Sequence, residues 1–312
     1  MKQNHVRQNL CAVFAALIWG TSFVAQSVGA SYVGPFTFNA ARSVVASAFL
    51  LVCALLYRKF KKIPSEQSPE NNPRYYKDLV TGGVCCGVIL SLGANLQQKG
   101  LETTASGKAG FITALYIIIV PVLGLFLKKR VRRTVWISIG IAAIGLYFLC
   151  IKNGFNIQKG DFYTILCAFC FAVQILLVDH YAQRVNGLDL ACAQFLIVSI
   201  ISLIGMAATE TPTLSALRGC LWSILYVGIL SGGVAYTLQI LAQRDSNPTV
   251  VSLLMSLESV FATVAGALIL HDRMDGREYL GCGLVLLAVI LAQLPVPGEK
   301  AEEQAEPAQS NG

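Results

Sequence analysis

Two charged side chains lie deep inside apolar stretches of this 312-residue sequence. Glu258 falls ten residues after Pro248 and Arg42 seven after Pro35. On helical geometry these positions are about 15 Å and about 10 Å from the start of their segments. An ionised group at such a depth in hydrocarbon is costly, so each must face a polar interior, find a partner or change protonation state. Glu258 can meet a substrate amine or carry a coupling proton; it can equally hold helices together through backbone groups or a neighbouring serine. Arg42 can grip a carboxylate with two parallel N–H donors, or snorkel to headgroups and loop carbonyls. Their different depths argue against an ion pair between the two.

Amides and hydroxyls extend this pattern. Asn95 and Gln98 stand three apart, and Tyr236, Gln239 and Gln243 stand at i, i+3 and i+7, spacings that share one helix face. Two such stripes predict two walls of one polar cavity, with interhelical hydrogen bonding as the alternative. Gln174 is a further amide inside an apolar run. Thr113 and Tyr116 precede Pro121, a helix-kinking residue and the candidate hinge. Trp19, beside Gly20, can stack on a planar or cationic group or simply pack. Lys108 opens an apolar segment, where free backbone N–H groups and a cation together would attract an anion; an ordinary interfacial lysine is the alternative. The candidate binding residues are thus Trp19, Arg42, Asn95, Gln98, Thr113, Tyr116, Gln174, Tyr236, Gln239 and Glu258.

Other chemistries find no constellation. His5, His180 and His271 have no partner spacing, so neither a metal site nor a cofactor is expected. HExxH, GxSxG and phosphate-binding glycine–lysine patterns are absent from the sequence. Cys167-x-x-Cys170 has redox spacing, but it lies within an apolar run without a second Cys or His pair, and buried cysteine behaves as a small hydrophobe. The formal charge of +7 comes without a solvated basic groove and interleaved aromatics, which excludes nucleic acid as the expected partner.

The elements that must position these residues are membrane helices. Hydrophobic residues make up 55% of the chain and charged ones 13%, with mean hydropathy +0.61; a soluble domain carries roughly twice that charge. A spanning helix needs about 20 mostly apolar residues, and the sequence offers ten such runs, at roughly 9–28, 35–57, 78–98, 107–127, 133–151, 160–181, 188–208, 219–242, 248–270 and 276–294. The apolar run after Lys2 and Arg7 resembles a signal peptide, yet nine more follow, so a retained first span is expected. With the N-terminus inside, sixteen Lys and Arg fall on the cytoplasmic side and seven outside, which places both termini in the cytoplasm. The halves also correspond. Trp19 and Arg42 meet Phe171 and Gln194 at an offset of 152, Asn95 and Gln98 meet Tyr236 and Gln239 at 141, and Gly140 and Gly145 meet Gly283 and Ala288 at 143. The expected fold is an all-α membrane protein of ten transmembrane helices. It has two inverted five-helix repeats, 9–151 and 160–294, and a disordered cytoplasmic tail over 295–312. Inverted repeats underlie alternating access around a midplane site.

Several stretches carry a resemblance as well. These are Ile18-Trp-Gly-Thr-Ser-Phe-Val24, Gly34-Pro-Phe-Thr-Phe-Asn-Ala-Ala-Arg42, Ala94-Asn-Leu-Gln-Gln98 and Gly107-Lys-Ala-Gly-Phe-Ile-Thr-Ala-Leu-Tyr116 leading to Pro121. Leu177-Val-Asp-His-Tyr181, Gly233-Val-Ala-Tyr-Thr-Leu-Gln239 and Ser256-Leu-Glu-Ser259 follow in the second half. In this order over residues 9–294 the chain resembles the EamA-type proteins of the drug/metabolite transporter superfamily. The resemblance implies ten helices with both ends cytoplasmic, a cavity lined by spans 1–4 and 6–9, and outer buttresses in spans 5 and 10. It also implies transport of amino acids, other metabolites or drugs, often outward. Where the family has Glu-Pro in span 9, this chain has Glu258-Ser259, which argues against a hinge there. The resulting expectation is a multi-pass secondary transporter of the cell membrane, working on small polar metabolites by alternating access, and not an enzyme. A receptor or assembly subunit without flux, and less readily an intramembrane enzyme, are the rivals. Its expected partners are a small-molecule substrate and the lipid bilayer, and monomer and homodimer both remain open.

Overall fold

The computed structural model describes residues 2–60, 73–104, 106–127, 131–150, 158–244, 246–269 and 275–294. The expected tail 295–312, most of the 58–77 connection, Lys128–Arg130 and His271–Arg273 lie outside these residues. Every regular element among the described residues is helical. The helices are α1 (Lys2–Ala30), α2 (Pro35–Phe60), α3 (Pro73–Gly100), α4 (Ser106–Ala114), α5 (Tyr116–Phe126), α6 (Arg133–Cys150), α7 (Lys159–Tyr181), α8 (Gly187–Thr209) and the short α9 (Leu214–Gly219). They continue as α10 (Leu221–Tyr226), a π-helical segment Val227–Ala235, α11 (Tyr236–Gln243), α12 (Pro248–Met255), α13 (Leu257–Ile269) and α14 (Gly276–Gln293). Joined across their interruptions, nine of these runs are long and apolar enough to cross a membrane, and α6 adds a shorter apolar stretch, Arg133–Leu149.

The starts of these helices are written locally. Asp275 accepts from Glu278 N while Glu278 returns a bond to Asp275 N, a reciprocal cap. Asn247 accepts from Thr249 N ahead of Pro248 at the first helical position. Asn186 caps α8 through Leu188 N.

Packing is inverted relative to a water-soluble protein. Leu51, Leu55, Ile200, Ile204, Leu287 and Ile290 are exposed, whereas Arg42, Gln98, Gln174, Gln194, Gln239 and Glu258 are buried. That distribution suits an apolar solvent outside and a polar interior. α2 lies along α8, α3 along α7 and α8, α1 along α11 to α13, and α6 along α14. At the last seam a methyl on Gly281 would stand 2.6 Å from Leu149 N and 2.7 Å from Gly145 O. Both are backbone atoms, so the two helices would have to separate. Gly281→Val is therefore expected to cost about 1–3 kcal/mol, seen as a lower Tm of the detergent-purified protein; an unchanged Tm would mean the seam opens freely.

Candidate functional site

A cavity partly open to solvent lies between these helices. α1 contributes Trp19, Phe23 and Gln26; α2 contributes Arg42, α3 Gln97, α4 Thr113 and α5 Tyr116. The other wall is Phe171, Gln174 and Ile175 from α7, Ser231 from the π-helical segment, and Tyr236 and Gln239 from α11. Met255 and Glu258 close it from α12 and α13. Among the described residues, none of α6, α8 or α14 lines it.

Glu258 sits in the first turn of α13, just past an interruption of the helix at Ser256. A carboxylate is favoured at a helix N-terminus. Its Oε1 accepts from the Tyr116 hydroxyl at 3.1 Å. The neighbouring serine hydroxyl of Ser256 instead donates to Leu253 O, so the packing alternative through that serine is not what holds Glu258. Tyr116 itself follows an interruption at Leu115. The two interrupting residues have nearly the same backbone, φ −60°, ψ −11° at Leu115 and φ −61°, ψ −14° at Ser256. The missing proline after Glu258 therefore does not keep span 9 continuous: the break comes two residues earlier, at a serine. Pro121 is buried inside α5, downstream of the break in its own span. α1 passes close by, since a methyl on Gly20 would meet Glu258 O at 2.6 Å and Ala262 N at 2.9 Å.

Arg42 is buried, and its Nε donates to Asn39 Oδ1 at 2.6 Å. The Asn39 amide in turn donates to Ala94 O and to Asn95 Oδ1. This fixes the guanidinium stem from behind and leaves it in the cavity wall rather than reaching for headgroups. Arg42 and Glu258 thus border one cavity, and among the described residues no ion pair joins them. In the same cavity wall Trp19 and Tyr236 meet edge to face, ring centroids 5.0 Å apart, and Phe195 backs Tyr236 at 5.1 Å. Two acceptors in the lining, Gln26 Oε1 and Gln239 Oε1, are buried without a hydrogen bond.

Of the ten residues singled out from sequence, the cavity gathers Trp19, Arg42, Thr113, Tyr116, Gln174, Tyr236, Gln239 and Glu258. Asn95 and Gln98 lie elsewhere. Asn95 donates to Ser91 O and Ser202 Oγ, and Gln98 donates to Gln26 O. Their shared face meets α1, α2 and α8, where amides fasten helices, and the neighbouring Gln97 turns about 100° away to reach the cavity. Lys108 does not form an open anion site either: its Nζ pairs with Asp161 Oδ2 at 2.5 Å, and Asp161 also accepts from Thr104. Sequence reasoning passed over Phe23, Gln26 and Gln97. The first two had a signal, since Trp19, Phe23 and Gln26 recur at i, i+4 and i+7.

A cavity lined by Arg42 and Glu258 within a sheath of helices long and apolar enough to cross a membrane defines a multi-pass membrane protein. The EamA-like transporter family matches residues 7–151 and again 158–294, and the chain belongs to that family. An uncharacterized transporter of Archaeoglobus fulgidus is 29% identical over 92% of this chain and 86% of its own length. The uncharacterized transporter YoaV of Bacillus subtilis is 21% identical over 92% and 96%. The uncharacterized inner membrane transporter YedA of Escherichia coli is 21% identical over 91% and 90%. A solved crystal structure shares the fold with TM-score 0.73 at 16% identity, over 96% of this chain and 99% of that one.

Proposed function

We propose that the protein is a secondary transporter that moves small zwitterionic metabolites, amino acids foremost, across the cell membrane by alternating access, in the outward direction. The observation that carries this reading is that two oppositely ionisable side chains, Arg42 and Glu258, line one cavity without forming an ion pair with each other. A zwitterion supplies the missing partner to both: its carboxylate to the guanidinium, its ammonium to Glu258 and the faces of Trp19 and Tyr236. Either charge left bare in a low-dielectric site would be costly, so a ligand carrying both signs is favoured over one carrying a single sign.

The moving parts are two inverted repeats of five spans, with both termini cytoplasmic. Several features support this. Exchanging each helix for its counterpart carries the α3–α7 seam onto that of α1 with the α10–α11 region, and returns α2–α8 and α6–α14 to themselves. The breaks at Leu115 and Ser256 lie 141 residues apart, the offset already seen for Asn95 and Tyr236. Ser47 Oγ and Ser199 Oγ, 152 apart, share a hydrogen bond of 3.2 Å, as expected of a residue and its counterpart on a two-fold axis. The cavity's apolar frame obeys the same relation: Trp19 with Phe171, and Phe23 with Ile175, all line it. Its charges do not, because Arg42 corresponds to Gln194 and Glu258 to Ile117.

The test is flux into proteoliposomes holding the purified protein, with an amino acid, its decarboxylated amine and its deaminated acid compared. Flux of the zwitterion well above that of both single-charge analogues is the expected result. Equal, background-level flux for all three and for a wider metabolite panel would refute the proposal.

A further inference from the structure

The polar end of the cavity on α11 bears on the cargo's side chain, and the inference drawn from it rests on the transport reading above. Gln239 is 1% exposed and lines the cavity, yet its Oε1 has no hydrogen-bond partner. Its other amide atom is tied down: Nε2 donates to Gln174 Oε1 at 3.1 Å, and Gln174 Nε2 donates to Gln194 Oε1 at 3.4 Å. Gln194 is fully buried outside the cavity, and its Nε2 is also unpartnered. Three amides therefore form a chain with one unpartnered end on the cavity-lining residue Gln239 and the other on Gln194 behind it. An amide chain can run in either direction, since flipping all three exchanges donors and acceptors. In one direction the unpartnered atom of Gln239 is a carbonyl oxygen, in the other an NH2 group.

We infer that Gln239 determines specificity for the cargo's side chain, selecting amino acids whose side chains hold an uncharged group that both donates and accepts, a primary amide or a hydroxyl. Such a group satisfies the loose end whichever way the chain runs. An apolar side chain of the same size leaves a buried amide atom unpaired, which is the arrangement by which binding sites reject analogues lacking a polar group. Tyr236, one turn before Gln239 on α11, supplies the wall that holds the side chain against it.

L-Glutamine and L-methionine have similar length and differ in the terminal amide, so their flux ratio reads this residue directly. In proteoliposomes the wild-type protein is expected to carry glutamine at least about tenfold better than methionine at subsaturating concentration. Gln239→Leu and Gln239→Met, the second keeping the side chain's length, are expected to bring the ratio to within about twofold of unity while methionine flux persists. Gln194→Leu, which leaves every lining residue in place, frees Gln174 to turn to Gln239 and is expected to lower the ratio partway. An unchanged ratio in the Gln239 variants, with methionine still carried, overturns the inference and leaves the transport reading standing. Absence of flux for every amino acid in the wild-type protein overturns both.

Discussion

Glu258→Gln is expected to lower amino acid flux at subsaturating concentration by about thirtyfold or more. The substitution keeps the side chain's shape and leaves an oxygen for the Tyr116 hydroxyl, which lies 3.1 Å from Oε1. On the zwitterion reading, what it removes is the negative charge that would face the cargo's ammonium. Removing one partner of a buried, hydrogen-bonded charge pair costs about 2 kcal/mol or more, and each 1.4 kcal/mol is a factor of ten. A deaminated acid brings no ammonium, so any residual flux of that compound should change little. This contrast separates recognition from collapse of the helix packing, which would lower both. The same variant tests energy coupling. With an imposed proton gradient, a coupling role for Glu258 requires the gradient's effect on flux to vanish in Glu258→Gln, and an equal effect in both proteins removes that role.

Arg42→Gln is expected to have an effect of similar size and opposite selectivity. It gives α2 the residue that α8 carries at the corresponding place, Gln194. The amide keeps some hydrogen bonding toward Asn39 but loses the forked, charge-assisted grip on a carboxylate. Amino acid flux is expected to fall by about thirtyfold or more on the same charge-pair argument. The corresponding amino acid amides, which have no carboxylate, should be carried about as well as before. If one cargo bridges both charges, the two substitutions act on a shared ligand, so their combined effect should depart from the product of the single effects. Independent, multiplicative losses would place the charges at separate ligands.

The membrane helices were legible because they are long and nearly free of charge. Expected span 7, 188–208, is found as Gly187–Thr209, and expected span 6, 160–181, as Lys159–Tyr181. Spans 1 and 3 are longer than their apolar blocks, Lys2–Ala30 and Pro73–Gly100, since polar residues continue a helix beyond hydrocarbon without any hydropathy signal. The breaks were not legible. Leu115 and Ser256 are ordinary residues within apolar runs, and Pro121, the one visible helix breaker, sits six residues past the break in its span. The π-helical segment Val227–Ala235 likewise has no local mark beyond its glycines. These departures from regular helix are set by packing across the bundle, which spacing along one chain does not report.

At the site, residue type was a better guide than face. Arg42 and Glu258 stood out because burying a charge demands a reason, and both line the cavity. Asn95 and Gln98 satisfied the spacing rule equally well, but the rule says only that two side chains share a face, not what the face meets. Asp161 was invisible for a different reason. It opens α7 and accepts from Gln158 N as a helix cap, so its pairing with Lys108 needed three dimensions.

In the proposed alternating-access cycle of two inverted repeats, the unequal lining of the cavity bears on kinetics. A carrier built from matched halves would be saturated at the same concentration from either side of the bilayer. In that cycle Arg42, Gln239 and Glu258, which come from different helices of the wall, would be presented unequally to the two sides, so half-saturation measured from the two sides should differ. Detailed balance still forbids that difference from driving net movement. Without a second gradient, maximal rate divided by half-saturation must be identical in both directions, and any inequality between those quotients would measure how much free energy the carrier draws from a coupled ion.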